Sequence, residues 1–320
     1  MEQKEIKTTP IDLKALTNAP VRFTGGHRAC AGCGMTIMAR QVLLAASETP
    51  VVVGSATGCL EVTTTIFPYT AWNVPFIHNA FENAAATISG VETAYRALKK
   101  RGRLPADKEI RFITFGGDGG TYDIGLQSLS GAMERGHRML YICYDNGAYM
   151  NTGIQRSGAT PRGAHTTTCP VGAVMPGKPQ NRKDLAAILA AHNIPYVATA
   201  SPHHHKDLMR KVRKALAVDG PSFMLVFSPC RLGWAFPPEQ GMDLCREAVA
   251  TGFWPLYEVE YGKWIINEPS PGATLAPVKP WLQKQGRFKH LLQKGNERLL
   301  EEIQAGVAQE WEKLKKRTTL

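Results

Sequence analysis

The chain has 320 residues, of which 43% are hydrophobic and 20% charged, and this composition is typical of a globular protein. It contains no run of 18 apolar residues, and its first 16 residues alternate charged with apolar side chains, so neither a membrane span nor a signal peptide is expected and we predict a cytoplasmic protein. The formal net charge is +11, but the basic residues form no single stripe and cluster near predicted helix ends, where they face the negative end of the helix dipole, so nucleic acid is not an expected partner.

Short apolar runs alternate with longer helical patterns in the middle of the chain. The predicted strands are Val51–Ser55, Arg111–Phe115, Met139–Tyr144, Tyr196–Ala200 and Ser222–Phe227. The predicted helices are Asn79–Lys100, Asp123–Arg135, Lys183–His192 and Lys206–Ala217. Strands that alternate with helices form parallel βαβ units, so we predict an α/β fold with a doubly wound, mostly parallel sheet. Ligands of such sheets bind at the carboxyl ends of the strands.

Two segments lie outside this alternation. Residues 146–182 are rich in Gly, Pro, Thr and Ser, and a loop of this length within a compact domain is usually functional. Residues 268–279 are rich in proline and predict an extended segment. Apolar residues then recur every three or four positions, at Leu300, Ile303, Val307, Trp311 and Leu314. They predict an amphipathic last helix that packs either on its own domain or on another subunit.

The domains predicted from these patterns are an N-terminal extension over residues 1–24, an α/β domain over residues 25–267, and a C-terminal arm and helix over residues 268–320. The α/β domain carries the motifs with chemical content. They fall into two groups, a glycine-rich turn with an associated asparagine and a set of four cysteines.

A glycine-rich turn follows the predicted strand Arg111–Phe115 directly and precedes a predicted helix. Its sequence is Gly116-Gly117-Asp118-Gly119-Gly120. Glycines let the backbone approach a phosphate, and the helix N-terminus offers free N–H groups. Asp118 would repel a diphosphate unless a cation lay between them, and Mg²⁺ commonly bridges a carboxylate to phosphates. Asn146 follows the next predicted strand, 28 residues after Asp118, which is an interval that a strand–helix–strand unit fills.

A Gly-Asp-Gly sequence followed at this distance by Asn resembles the thiamine-diphosphate motif, which continues here through residues 145–153. The resemblance implies three Mg²⁺ ligands, namely Asp118, the Asn146 side chain and the Ala148 carbonyl. It implies that the diphosphate is held by Gly117, Gly119 and Gly120. It also implies a catalytic position for Asn151, near the thiazolium ring and the substrate, although Asn151 could instead be a turn residue before Thr152-Gly153.

Seven cysteines are present, and a large cytoplasmic domain has little need of disulfides, so metal or redox chemistry is the better hypothesis. Four of them suit a metal centre: Cys30 and Cys33 of a Cys-x-x-Cys element, Cys59 after the first predicted strand, and Cys230 after the last. Four thiolates are a complete ligand set for a [4Fe–4S] cluster. Structural zinc normally uses two close Cys-x-x-Cys pairs, so the 171 residues between Cys59 and Cys230 disfavour zinc, and zinc or unrelated thiols stay open as alternatives.

The other three cysteines are not assigned to the cluster. Cys143 is predicted to be a core residue of a strand and Cys245 to lie on a helix face, while the loop position of Cys169 would allow exposure.

From about Gly25 to His290 the chain resembles the beta subunits of the 2-oxoacid:ferredoxin oxidoreductases, with pyruvate:ferredoxin oxidoreductase (pyruvate synthase) as the expected type. The segments that carry the resemblance, besides the motifs above, are residues 26–30, 70–72, 81–85 and 147–160. One departure is Met35, which stands where some relatives carry a glutamate that touches the thiamine, so that contact is not expected here.

The resemblance implies a sheet of the thiamine-diphosphate-binding type, the cofactors thiamine diphosphate, Mg²⁺ and a [4Fe–4S] cluster, and a Cys59 that lies beside the thiamine. It implies oxidative decarboxylation of pyruvate with coenzyme A to acetyl-CoA and CO₂, with electrons passing to ferredoxin. The implied partners are alpha, gamma and ferredoxin-like delta subunits or fused equivalents. Alternatives that stay open are another 2-oxoacid or oxalate as substrate, a non-redox thiamine carboligase or decarboxylase, and a zinc module.

Overall fold

The computed structural model describes residues 6, 8–172 and 174–319. In these residues eight strands form one sheet, in the order β2-β1-β3-β4-β6-β5-β7-β8. They are β1 Val51–Ala56, β2 Phe76–Asn79, β3 Arg111–Gly117, β4 Met139–Asp145, β5 Tyr196–Ala200, β6 Ser222–Phe227, β7 Leu256–Glu260 and β8 Lys263–Glu268. Strands β1 to β6 pair in parallel, whereas β7 pairs antiparallel with β5 and β8 antiparallel with β7.

The α/β class and the mostly parallel sheet predicted from the sequence are confirmed, and all five predicted strands are present to within two residues of their predicted ends. Strand β4 is buried along its whole length, as expected for a parallel strand that helices cover on both faces. The short edge strand β2 and the hairpin β7–β8 were not predicted. The hairpin turns through Tyr261 and Gly262, both with positive φ, a backbone conformation that suits a tight two-residue turn.

Helices cover both faces of the sheet. They are α1 Leu13–Leu16, α2 Gly34–Ala45, α3 Cys59–Thr64, α4 Ala84–Lys100, α5 Leu126–Glu134, α6 Leu185–Ala190, α7 His205–Ala217, α8 Arg231–Trp234, α9 Gly241–Ala250, α10 Val278–Gln283 and α11 Glu297–Arg317. Helices α2 and α7 pack together in the core on one face, and α4, α5, α6, α9, α10 and α11 line the core on the other.

Two predicted helix starts were too early. Asn79 ends β2, so the helix predicted from that residue begins at Ala84. The helix predicted from Asp123 begins at Leu126, because the end of the glycine-rich sequence forms a π-helical turn over Gly119–Ile124 before the regular helix starts.

The last helix is amphipathic, as predicted. Its apolar residues Ile303, Val307, Trp311 and Leu314 are buried and belong to the same core as Trp281 and Phe288. The stripe therefore packs on its own chain, which was one of the two arrangements expected. The division of the chain at residues 24 and 267 stays a prediction. Within the described residues, no helix combines the length and the apolar character that a membrane crossing requires.

Candidate functional site

Four neighbouring strands of the sheet, β1, β3, β4 and β6, lead into the residues that the sequence singled out. Cys59 follows β1, Asp118 follows β3, Asn146 follows β4 and Cys230 follows β6. Because parallel strands end at one edge of a sheet, the fold brings these four positions to the same edge. The two thiols flank the two oxygen-bearing side chains in strand order.

A small cavity of about 30 Å³ lies at this edge. Its lining includes all eight residues expected to contact thiamine diphosphate or Mg²⁺: Cys59, Gly117, Asp118, Gly119, Gly120, Asn146, Ala148 and Asn151. The Phe81 and Tyr149 rings stack at one side, with 5.7 Å between their centroids. A Cβ atom at Gly119 would lie only 2.5 Å from the Tyr149 ring, so a glycine is needed for this close approach.

Three oxygen atoms crowd together beside the glycine-rich turn. The Asn146 side-chain oxygen lies 2.8 Å from Asp118 Oδ1 and 2.8 Å from the Ala148 carbonyl oxygen. Turning the amide over would put its NH₂ group there and let it donate to both acceptors. The arrangement therefore needs either the turned amide or a cation among the three oxygens.

Asp118 is 1% exposed and is oriented by two hydrogen bonds, one donated by the Ser157 hydroxyl and one by the Asn146 backbone N–H at 3.3 Å. Burial raises the pKa of Asp118 well above its usual range, and the nearby Asp145 carboxylate raises it further. Asp145 itself accepts hydrogen bonds from the Tyr122 hydroxyl at 2.7 Å and from Arg182 at 2.5 Å. The site thus holds one compensated carboxylate and one, Asp118, that lacks a cationic partner among the described side chains.

Tyr144, the penultimate residue of β4, was missed in the sequence. Its ring lines the same cavity, and its buried hydroxyl finds no hydrogen-bond partner within the described residues. A Cβ atom at Gly58 would lie 2.7 Å from this hydroxyl oxygen, so the hydroxyl lies against the backbone just before Cys59. An orphaned buried hydroxyl at a cavity wall indicates a missing polar partner.

The Cys-x-x-Cys element is a tight turn closed by a hydrogen bond from the Cys33 N–H to the Cys30 carbonyl at 3.1 Å. Gly32 adopts a φ of 74°, which favours glycine. The turn rests on the segment before the fourth cysteine, because Gly34 N–H donates to the Pro229 carbonyl at 3.4 Å. Two sequence-distant cysteine segments are thereby packed together.

The four thiols that were expected to bind a cluster lie within electrostatic range of one another. Burial raises the pKa of Cys33 to about 11, and its neighbours Cys230 and Cys30 raise it as well. Burial likewise raises the pKa of Cys59 to about 12, with further increases from Cys230, Cys33 and Cys30. Backbone N–H groups oppose this effect at Cys230, where Gly233 N–H donates to the sulfur at 3.4 Å.

The Cys59 thiol also donates to the Asn151 side-chain oxygen over 3.8 Å. This contact links the set of four cysteines to the cavity. Among the described residues, no three His, Cys, Asp or Glu side chains are arranged as a ready-made single-ion site. The structure thus gathers the four thiols in one region without showing what they bind.

The remaining cysteines lie elsewhere. Cys143 is fully buried in β4 and Cys245 fully buried in α9, as predicted for a core strand and a helix. The loop position of Cys169 would have allowed exposure, but the side chain is buried. Cys169 is 8% exposed, and its N–H donates to the Thr166 carbonyl and hydroxyl at 3.2 and 3.0 Å.

Three comparisons relate the chain to known proteins. The family described as thiamine pyrophosphate enzyme, C-terminal TPP binding domain, matches residues 56–226. The chain is 51% identical to pyruvate synthase subunit PorB of Thermotoga maritima over 95% of this chain and 96% of that one. It is 43% identical to ketoisovalerate oxidoreductase subunit VorB of Pyrococcus abyssi over 96% of this chain and 97% of that one. A solved 2-oxoglutarate:ferredoxin oxidoreductase from Magnetococcus marinus shares the fold, with a TM-score of 0.54, 20% identity and coverage of 70% of this chain and 79% of that one.

Proposed function

Because the chain belongs to the family of pyruvate synthase PorB subunits, we propose that it is the thiamine- and cluster-binding subunit of an enzyme that decarboxylates pyruvate oxidatively. The reaction joins the acetyl group to coenzyme A, releases CO₂ and passes electrons to ferredoxin. The observation that carries this proposal is the contact between Cys59 and Asn151, because it puts one of the four cysteines directly beside the cavity at the glycine-rich turn.

The residues present fit Mg²⁺ and a diphosphate. Mg²⁺ binds oxygen at 2.0–2.1 Å in octahedral geometry, so neighbouring ligand oxygens lie about 2.9 Å apart. The separations of 2.8 Å from the Asn146 oxygen to Asp118 Oδ1 and to the Ala148 carbonyl are close to that value. With Mg²⁺ bound, the Asn146 amide would present its oxygen to the ion, and Asp118 would gain the cationic partner that it lacks among the described residues.

The residues also fit a [4Fe–4S] cluster. Cys33, Cys59 and Cys230 are partly buried and Cys30 is exposed, and burial together with the neighbouring thiols raises the pKa of Cys33 and Cys59, so their thiolates are unfavourable unless a cation compensates the charge. Iron in a cluster would bind these sulfurs as thiolates and would compensate their negative charge. We infer that the ligands are Cys30, Cys33, Cys59 and Cys230.

When bound, thiamine diphosphate supplies the nucleophilic carbon for the 2-oxoacid carbonyl, and the cluster supplies an acceptor for single electrons. The chain's own residues position these groups. The Ser157 hydroxyl and the Asn146 N–H hold the Asp118 carboxylate in one orientation. The stacked Phe81 and Tyr149 rings wall the cavity on one side. Asn151 presents a neutral amide at the cavity wall beside Cys59, where it can hydrogen-bond a substrate oxygen without adding charge.

We further propose that this chain is one part of a larger assembly. It contains a single Gly-Asp-Gly…Asn unit, and thiamine also needs a carboxylate against its aminopyrimidine ring, which we assign to an alpha subunit or its equivalent. Gamma and ferredoxin-like delta subunits would complete the enzyme. Because the apolar stripe of α11 packs on its own chain, the part of the C-terminal segment that would reach toward them is the proline-rich stretch 268–277, which is exposed or half-buried. The assembly is proposed to be cytoplasmic.

The test compares the anaerobically purified chain, alone and with its partner subunits, in the presence of thiamine diphosphate and Mg²⁺. Reduction of methyl viologen is measured with coenzyme A and each of pyruvate, 2-oxoisovalerate, 2-oxoglutarate and oxalate. The complete assembly should have its highest kcat/KM with pyruvate, and the chain alone should show no CoA-dependent reduction.

Each contrary outcome removes a different part of the proposal. Pyruvate turnover by the isolated chain would refute the need for a partner. A preference for 2-oxoisovalerate, the substrate type that the VorB name suggests for that relative, would refute the choice of pyruvate. Decarboxylation without viologen reduction, in protein free of iron, would favour the non-redox alternative.

A further inference from the structure

A buried guanidinium lies behind the candidate site. Arg287 is 4% exposed, and its guanidinium carbon lies 3.6 Å from the centre of the Trp234 ring. Its Nε and Nη2 atoms both donate to the Gln285 side-chain oxygen, at 3.0 and 2.9 Å. No carboxylate of the described residues forms an ion pair with it. Arg287 is therefore a buried cation whose hydrogen-bond partner is neutral.

The position of Arg287 joins the two halves of the site. On one side it stacks on Trp234, the last residue of α8, the helix that Cys230 caps. On the other side a Cβ atom built on Gly147 would lie 2.8 Å from Arg287 Nη1. The Trp234 ring N–H in turn donates to the Asn146 carbonyl at 2.7 Å. The guanidinium thus sits between the fourth thiol and the loop that follows β4.

A buried cation is costly unless an anion compensates it. Burial lowers the pKa of Arg287 to about 9, while Asp145, Cys230 and Asp118 act in the opposite direction. Asp145 already accepts from Arg182 and Tyr122, and Asp118 faces the proposed Mg²⁺. The remaining negative group would be the Cys230 sulfur, which caps the short helix whose last residue, Trp234, stacks on the guanidinium.

We propose that Arg287 is the fixed counter-charge of the [4Fe–4S] cluster, a positioning residue that stabilises the reduced cluster and raises its reduction potential. The inference rests on the proposed function, because it takes the four thiols to be cluster ligands. When the cluster gains one electron, it gains one unit of negative charge, and the donor of that electron is oxidised. The guanidinium stays protonated, so it stabilises the added charge without transferring a proton.

The test uses two variants that cancel this charge in different ways. Arg287→Gln removes it, and Gln285→Glu neutralises it by placing a carboxylate where the neutral acceptor now stands. Lys289→Gln is the matched control, since it removes an exposed charge from the same segment, where solvent screens it. Arg287→Lys keeps the charge. Iron content and the EPR-monitored midpoint potential of the cluster are measured anaerobically in the full assembly.

We expect all four variants to retain iron. In Arg287→Gln and Gln285→Glu the equilibrium constant for one-electron reduction should fall about tenfold, which is a shift of about 59 mV to more negative potential. Arg287→Lys should recover most of the difference, and Lys289→Gln should match the wild type. If Arg287→Gln fails to fold, Gln285→Glu decides alone, because it preserves the size of the side chain and both hydrogen bonds from Arg287 and loses only the bond that Gln285 Nε2 donates to the Trp281 carbonyl.

Full iron content with an unchanged potential in both charge-cancelling variants would overturn the role of Arg287 and leave the proposed function intact. A wild-type chain that binds no iron would overturn the cluster assignment and this inference together.

Discussion

Replacing Asp118 by asparagine should separate the binding function of this residue from its effect on stability. The side chain is 1% exposed and lies near a second carboxylate, Asp145. Without a cation between them, the two carboxylates repel each other in a poorly solvated place. Asp118→Asn keeps the shape and can keep both hydrogen bonds, because Ser157 can reverse its hydroxyl. We therefore expect the free energy of unfolding in EDTA to be about 1–2 kcal/mol higher for the variant than for the wild type.

The same change would remove one of the proposed Mg²⁺ ligands. Mutation of a residue that hydrogen-bonds to a metal ligand typically lowers metal affinity 10–100-fold. Loss of a charged direct ligand should therefore lower it by more than about 100-fold, or about 2.7 kcal/mol. Calorimetry would measure thiamine diphosphate binding with Mg²⁺ and with EDTA, and thermal unfolding would be followed under both conditions. Wild-type protein should gain stability from Mg²⁺ and cofactor together, and Asp118→Asn should gain none.

Asp123→Asn is the matched control. Asp123 lies on the same turn but accepts from Lys183 at 2.7 Å and from Gly158 N–H at 2.8 Å, so its loss should lower stability modestly and leave the Mg²⁺ dependence intact. Two results would refute the reasoning at Asp118: an affinity loss of less than tenfold, or a variant that is clearly less stable than the wild type in EDTA.

Two further predictions concern the thiols and a buried carboxylate. Serine at any of Cys30, Cys33, Cys59 or Cys230 should lose most of the roughly four irons expected per chain, whereas serine at Cys143, Cys169 or Cys245 should not; iron analysis that shows loss at Cys245 and retention at Cys230 would contradict the assignment. Burial alone would raise the pKa of Glu258, but Lys211 and Arg210 lower it to about 2. The ionised Glu258 therefore contributes about 3 kcal/mol to the free energy of unfolding. This contribution is present above pH 4.5 and is lost as pH falls toward 2. Urea unfolding should show the difference between wild type and Glu258→Gln shrinking over that range, and a constant difference would exclude the effect.

The sequence predicted the parts of this fold that depend on local patterns. Strand β4 is apolar up to Asp145, which Asn146 follows. Both the strand and the polar residues at its end could therefore be predicted from the sequence. Strand β7 was missed because Glu258 and Glu260 look like surface residues, although Glu258 is 1% exposed. Its burial depends on Tyr196, Arg210 and Lys214, which are distant in the chain.

The same limit applied within the site. Asp118 and Asn146 carry a recognisable spacing, whereas the environments of Tyr144, Arg287 and Cys169 arise only from tertiary packing. Nothing near Arg287 in the sequence indicates that it will stack on Trp234, 53 residues earlier. A loop residue such as Cys169 is exposed by default, and nothing in its local sequence indicates that it will be buried.

The order of the strands also sets the order in which the site can be assembled. Strand β6 follows β5 in the chain but lies between β4 and β5 in the sheet. In a nascent chain that has reached β5, the parallel neighbour of β5 in the sheet, strand β6, has not yet been made. The sheet edge that carries Cys59, Asp118 and Asn146 then still lacks Cys230, which follows β6. Insertion of β6 joins β5 to the sheet and delivers Cys230 in the same step. The four cysteines are therefore all present only after residues 222–230 have emerged, so loading of the proposed cluster would have to wait for the sheet to close.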